Sequence, residues 1–283
     1  MGQALINGVM MGGLYAAVGV GMSMIFGIAK ITNLAHGSFL ILAAYISHIF
    51  ITALGINPFV SLLFVVPIMF IIGFIAQSTL LNKVLDRGAE PPLLITFGFS
   101  IIIQNLLLYI FGANNQRLPT SLYLNSITLS DKLRIPVMPL IACIIGVAVI
   151  LVLNLYMKST YMGRAIRATS DDIGAAQLMG VNVKTIYGIA MGIAMMTAGI
   201  TGVLVGVINT FTPSTGSRYL IIAFSVVVIG GIGSINGTLI AGFIFGLAYM
   251  IGGQLLSAEY QPLVAYMILL IMLIIRPQGL LSK

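Results

Sequence analysis

Long apolar runs separated by short polar segments dominate this chain, and they set its elements. Leu5–Ile28, Phe39–Leu54, Phe59–Leu81, Leu93–Phe111, Pro136–Met157, Thr185–Ile208 and Pro262–Ile275 each read as one apolar helix. A lipid-spanning helix needs ~20 apolar residues because water is absent to satisfy its backbone, and these runs are of that order. Leu220–Leu256 is too long for one such helix and is interrupted by Gly230, Gly231, Gly233 and Gly237 with Ser234 and Asn236. It predicts either two spans meeting at a tight turn or a re-entrant segment before one helix. Period-two alternation is absent, which excludes a barrel. The pattern predicts an all-α integral membrane protein, a polytopic bundle of about eight transmembrane helices in a single domain over residues 1–283.

Punctuation between the runs is explicit. GINP at Gly55–Pro58 is a turn, and Pro67 is expected to kink its helix. Pro91 and Pro92 are expected to bar the charged segment Asn82–Pro92 from continuing as helix. Gly112–Ile135 is the longest polar connection, with Pro119 and Tyr123, and suits docking by an external protein. The first run continues to a full span, so no cleavable secretory signal is expected. Gly12, Gly13, Gly19 and Gly21 allow close helix approach.

Composition agrees with this reading and narrows it. The chain is 59% apolar and 7% charged, with a mean hydropathy of +1.13, against about 25% charged in soluble domains. The formal charge of +7 sits mostly in short loops, where it sets topology rather than nucleic-acid affinity. With Leu220–Leu256 counted as two crossings, Lys30, Lys83, Arg87, Lys158, Arg164, Arg167, Lys184, Arg276 and Lys283 fall on one side. Arg117, Lys132, Arg134 and Arg218 fall on the other. The positive-inside bias makes the first side cytoplasmic. Cys143 is single and is expected to be packed or lipid-facing.

Candidate chemistry is sparse. Asn33, His36 and Ser38 form a polar cluster between the first two runs, and Gln104 with Asn105 places two amides at membrane depth. Such groups pair across helices or line a wet path. No His, Cys or carboxylate set has metal spacing, and no nucleophile–base pair is visible. Every acidic residue (Asp86, Glu90, Asp131, Asp171, Asp172, Glu259) lies in or beside a loop, which argues against a proton- or ion-coupled carrier. GGIGSING lacks the Lys-Ser/Thr of a P-loop, so ATP binding by this chain is not expected.

Lys158–Lys184 stands out because it is charged between two spans. Ser170 or Asp171 can cap a short helix with Asp172 in its first turn. Gly180 suits its end and Asn182 the start of the next. Asp172, Ala175, Ala176 and Met179 then share one face by spacing, with Leu178 at its border. From spacing alone, this is equally a partner-binding helix or an amphipathic loop that lies on lipid or packs back against its own bundle.

MGRAIRATSDDIGAAQLMGVNV resembles the cytoplasmic coupling loop of permease subunits in ABC importers for branched-chain and other hydrophobic amino acids. LYAAVGVGMSMIFGIAKITNLAHGSFLILAAYI, GGIGSINGTLIAGFIFG and RPQGLL agree in order and spacing, so the resemblance covers nearly the whole chain. It departs mildly, with Asn236 where a Pro is common and a short N-terminus. The resemblance implies a multi-pass protein of the bacterial inner membrane, without its own ATPase site or bound cofactor. ATP and Mg would sit on partner ABC ATPase subunits. A second homologous permease and an extracytoplasmic solute-binding protein would complete the assembly, with the lipid bilayer around it and no nucleic acid. Asp171, Asp172, Ala175, Ala176, Leu178, Met179 and Gly180 would contact the ATPase, with Arg164 and Arg167 holding the loop or meeting acidic groups. Asn33, His36, Ser38, Gln104 and Asn105 are the path candidates. Urea or short amides remain alternative cargoes within the family, and a stand-alone ion-gradient carrier remains the alternative class.

Overall fold

The computed structural model describes every residue except 89, 123–124, 131–132 and 282–283. Tyr123, Asp131, Lys132 and Lys283, named above, lie outside the described residues. Eleven α-helices and one hairpin follow in order. They are α1 (Gly2–Ala29), α2 (His36–Leu54), α3 (Pro58–Thr79), α4 (Glu90–Phe111), β1 (Ser126–Ser130), β2 (Leu133–Pro136), α5 (Val137–Ser159), α6 (Tyr161–Asp171), α7 (Ile173–Leu178), α8 (Val183–Ile208), α9 (Gly216–Gly230), α10 (Ile235–Leu255) and α11 (Gln261–Ile275). Among the described residues nine helices are long and apolar enough to cross a membrane. That is one more than the approximate count from sequence, because Leu220–Leu256 resolves into two helices. A turn of Gly231–Ser234 joins them, with Gly231 and Gly233 at φ +96° and +79°.

α1 is the axis of the bundle and is almost wholly buried. It packs on α5, α8, α9 and α10. Glycine makes this possible: a Cβ on Gly12 would stand 2.7 Å from Phe243 Cα, and one on Gly246 would stand 2.5 Å from Gly12 Cα. Dispersion contacts between closely approaching backbones hold membrane helices together where no hydrophobic difference from lipid exists. Cys143 is packed and half-buried, its Sγ 3.6 Å from the Val9 carbonyl it faces. α3 packs along α8, and α2 lies between α8 and α9. α11 and α4 lie at the periphery, with few fully buried residues.

One sequence expectation needs refinement. Residues 82–88 do not continue α3, which ends at Thr79, but the prolines are not the stop: Pro91 and Pro92 lie in the first turn of α4, where a missing N–H costs nothing. The long polar connection contains regular structure. Its β1–β2 hairpin pairs antiparallel, Ile127 opposite Ile135 and Thr128 opposite Arg134.

Helix ends fall into two sets. Gln3 Nε2 donates to the Arg134 carbonyl, Gln116 pairs with Phe211, and Arg117 donates to the Val207 and Ile208 carbonyls. At the opposite end, Asn82 donates to the Lys184 carbonyl and Leu34 N–H to Thr96 Oγ1. The second set carries Lys30, Lys83, Lys158, Arg164, Arg167, Lys184 and Arg276. The first carries Arg117, Arg134 and Arg218. By the positive-inside bias this distribution favours the second set as the cytoplasmic end.

Candidate functional site

The segment after α5 folds into a two-helix arm. Thr160 opens α6 by accepting from Gly163 N–H at 3.0 Å. Gly163, Ala165, Ile166 and Thr169 turn inward, while Tyr161, Arg164 and Arg167 face outward. Arg164 Nη1 donates to the Ser159 carbonyl at 3.0 Å, tying the arm's base to the end of α5. A Cβ on Gly163 would meet Met157 Cα at 2.5 Å, so α6 folds back tightly on α5.

α7 starts later than the sequence suggested. Ser170 and Asp171 belong to α6, and Asp172 is itself the cap, its Oδ1 accepting from Ala175 N–H at 3.0 Å. Three adjacent residues are all competent caps, and the extended backbone at Asp172 (φ −150°, ψ 110°) decides between them. Gly180 at φ +82° ends the arm, and Asn182 accepts from Thr185 N–H at 3.2 Å to open α8.

The expected four-residue face splits. Ala176 is 4% exposed and turns toward the bundle, so it is not available to a partner in this conformation. Asp172 and Ala175 remain outward, and Leu178 and Met179 are 91% and 84% exposed. Within α7 Ala176 is the one buried position, so the shared face is divided between the bundle and the outside. Leu178 and Met179 leave two large apolar side chains uncovered by the arm's own bundle.

The four segments singled out in the sequence meet at the base of this arm. Ser170 Oγ donates to the Gly27 carbonyl at 2.6 Å, joining α6 to the last turn of α1. A Cβ on Gly27 would lie 2.6 Å from Gly233 Cα, so the α9–α10 turn rests on the same point. Leu280 and Leu281 N–H donate to the carbonyls of Ile229 and Gly230 at 2.9 and 3.1 Å, capping α9 with the RPQGLL segment. Asn236, in the first turn of α10, accepts from Asn154 Nδ2 of α5 at 2.8 Å. A proline there would forfeit this link. The arm, the end of α1, α5 and the α9–α10 turn are thus in contact at one place.

The path candidates form two groups. Asn33 and His36 are each 1% exposed. Asn33 Oδ1 accepts from Ala35 N–H at 3.0 Å, and His36 Nε2 donates to the Val18 carbonyl at 2.9 Å. His36 thus ties the start of α2 to α1, while Asn33 turns the chain into α2 and directs its Nδ2 to Met191 Sδ of α8 at 3.9 Å. Ser38 shares a 2.8 Å hydrogen bond with Ser100 of α4. Gln104 lies one turn beyond Ser100 and is half-buried, whereas Asn105 is exposed and donates to its own helix at Ile101. Ser38, Ser100 and Gln104 thus mark the α2–α4 seam, and Ser100 was not singled out from sequence. Among the described residues no three His, Cys, Asp or Glu side chains gather where a metal could sit.

Residues 4–275 match the family model described as branched-chain amino acid transport system / permease component. The chain belongs to this permease family. It is 30% identical to the high-affinity branched-chain amino acid transport system permease protein BraD of Pseudomonas aeruginosa, over 99% of this chain and 95% of that one. It is equally 30% identical to the corresponding LivH protein of Escherichia coli, over the same shares. A solved structure, PsaBC from Streptococcus pneumoniae in complex with Fab, covers 98% of this chain and 92% of its own at 15% identity with a TM-score of 0.49.

A second polar cluster in this permease escaped sequence reasoning. Arg218 of α9 donates through Nη2 to the Tyr249 hydroxyl and lies 6.0 Å from that ring's centroid. Tyr219 accepts from Asn209 Nδ2 at 3.2 Å, and Tyr15 packs edge-on to Tyr249 at 5.8 Å. Five residues from three helices and a loop meet here, and only their spacing across the fold, not along the chain, reveals it.

Proposed function

We propose that this chain is the membrane-spanning permease subunit of a binding-protein-dependent ABC importer that carries branched-chain or other hydrophobic amino acids across the bacterial inner membrane. Family membership and full-length similarity to permeases named for that transport support the cargo class. The observation that carries the coupling role is the arm, with Leu178 and Met179 exposed at the cytoplasmic end and Ser170 fastened to α1. ATPase subunits holding ATP and Mg receive α7. Their closure moves α6, and α6 shifts α1, α5 and the α9–α10 turn together. A second permease subunit encloses the path, and an external binding protein delivers the amino acid to the opposite face. The substrate crosses unchanged, so this chain performs no bond chemistry.

The test begins with the tagged chain extracted gently from native membranes, to identify what accompanies it. Recovery of an ATPase and a second permease supports the importer. A chain that arrives alone and moves solute in liposomes without ATP sinks it in favour of a gradient-driven carrier. In the recovered complex, competition of uptake by leucine, urea and acetamide separates the cargoes. Leu178→Ser with Met179→Ser is expected to abolish ATP-driven uptake without lowering the permease's thermal midpoint, since both side chains are exposed. Unchanged uptake removes the arm from the mechanism.

A further inference from the structure

A cavity of about 610 Å3 opens at the cytoplasmic end between α1, α5, α6 and the α9–α10 turn. Three cations line it, Lys30, Lys158 and Arg167, against one carboxylate, Asp171. Among the described residues no hydrogen bond or ion pair gives any of the three cations a partner. Ile235 and Asn236, at the N-terminus of the 21-residue helix α10, also line it. Ser234 Oγ accepts from Gly237 N–H at 3.1 Å, so this end contributes the N–H groups of Ile235 and Asn236 and its positive dipole to the same space. Lower down the wall is apolar, with Met24 and Met157.

Lys30 adds an independent sign. It is the non-glycine residue at positive φ (53°) among the described residues, at the C-cap of α1 where glycine is the usual choice. The left-handed backbone at this C-cap places the Lys30 side chain on the cavity wall.

We propose that this cavity binds a phosphate-bearing anion, supplied by an anionic phospholipid headgroup of the cytoplasmic leaflet. Cationic clefts between helices at that face attract such headgroups, and the methionine wall suits the glycerol and first acyl carbons. The occupant bridges Arg167 of the arm to Lys30 of α1 and Lys158 of α5. It would thereby join the arm to the bundle beside the Ser170–Gly27 bond.

Native mass spectrometry and a fluorescent-lipid titration of the delipidated full-length chain test this, using phosphatidylglycerol, phosphatidylethanolamine and inorganic phosphate. Phosphatidylglycerol is expected to be retained over phosphatidylethanolamine. Each of Lys30→Gly, Lys158→Gln and Arg167→Gln should weaken it about fivefold, the worth of one cation near a membrane surface. Lys30→Gly suits the left-handed backbone, so it removes charge without straining the fold. Arg167→Lys should largely restore binding, and Lys83→Gln with Arg87→Gln, outside the cavity, should leave it unchanged. Inorganic phosphate that binds alone, with the same losses in the variants and no lipid preference, supports the site and assigns its source to soluble phosphate. No binding of either, or a lipid preference that survives removal of all three cations or falls equally in the Lys83/Arg87 control, overturns it.

Discussion

Ser170→Ala isolates the contact that fastens the arm to the bundle. The Ser170 hydroxyl donates to the Gly27 carbonyl at 2.6 Å in a partly buried setting. Gly27 lies in the last turn of α1, where carbonyls lack an intrahelical donor, so removal leaves an acceptor with less than it needs. A neutral hydrogen bond contributes about 1 kcal/mol net, and the stranded carbonyl raises the loss to about 1.5 kcal/mol. Alanine opposes this, being about 0.5 kcal/mol the better helix former within α6. The net is about 1 kcal/mol, which accelerates local opening about fivefold. Hydrogen exchange read by mass spectrometry should therefore show faster exchange in peptides covering 161–171, with peptides in 190–205 unchanged. Exchange in α6 that is unaltered or slower would mean that helix propensity outweighs the contact, and that Ser170 does not anchor the arm. Equal acceleration in α8 would mean a global loss instead.

The packing sets four further outcomes. Gly12→Val forces a Cβ to within 2.7 Å of Phe243 Cα and should cost about 3 kcal/mol or more, seen as lost monodisperse yield in size exclusion. Gly98→Ala, with nothing within 4 Å of its new methyl, should be neutral or stabilising by up to about 1 kcal/mol. Ala176→Trp is expected to unseat α7 rather than merely block a partner, because the position is 4% exposed; limited proteolysis between residues 172 and 182 should increase. Arg218→Lys keeps the charge but loses the planar group over Tyr249, and should lower stability by about 1 kcal/mol in a thermal melt.

Much of this architecture was legible because polar punctuation in a membrane chain is unambiguous. Gly180 and Asn182 end and open helices where their chemistry suggests, and the glycines after Ile229 mark a turn whose two sides are both helical. What hydropathy does not record is which helix lies inside. α1 and α11 are both strongly apolar, yet one is buried and the other peripheral, since lipid and protein interior are alike to a leucine. Small residues carry the difference, and Gly8, Gly12 and Gly13 of α1 have no counterpart in α11. The hairpin was overlooked although Ile127, Thr128 and Ile135 are good strand residues, because their short runs sit among turn formers. The arm's composition was readable, but its facing was not: Ser170, Asp171 and Asp172 are interchangeable as caps until tertiary packing selects one. The meeting of Gly27, Gly233 and Ser170 joins segments far apart in the chain, and no local periodicity reports that.

The central position of α1 also bears on biogenesis. Its glycine-lined faces await Cys143 of α5 and Phe243 and Gly246 of α10, which leave the ribosome more than a hundred and more than two hundred residues later. Until then α1 must reside in the bilayer, or be held by the insertion machinery, with its closest-packing surfaces turned to lipid. A nascent chain halted before α10 has its axis inserted but unclamped. Such truncated chains should be recognised by membrane quality control as unassembled, however hydrophobic each helix is by itself.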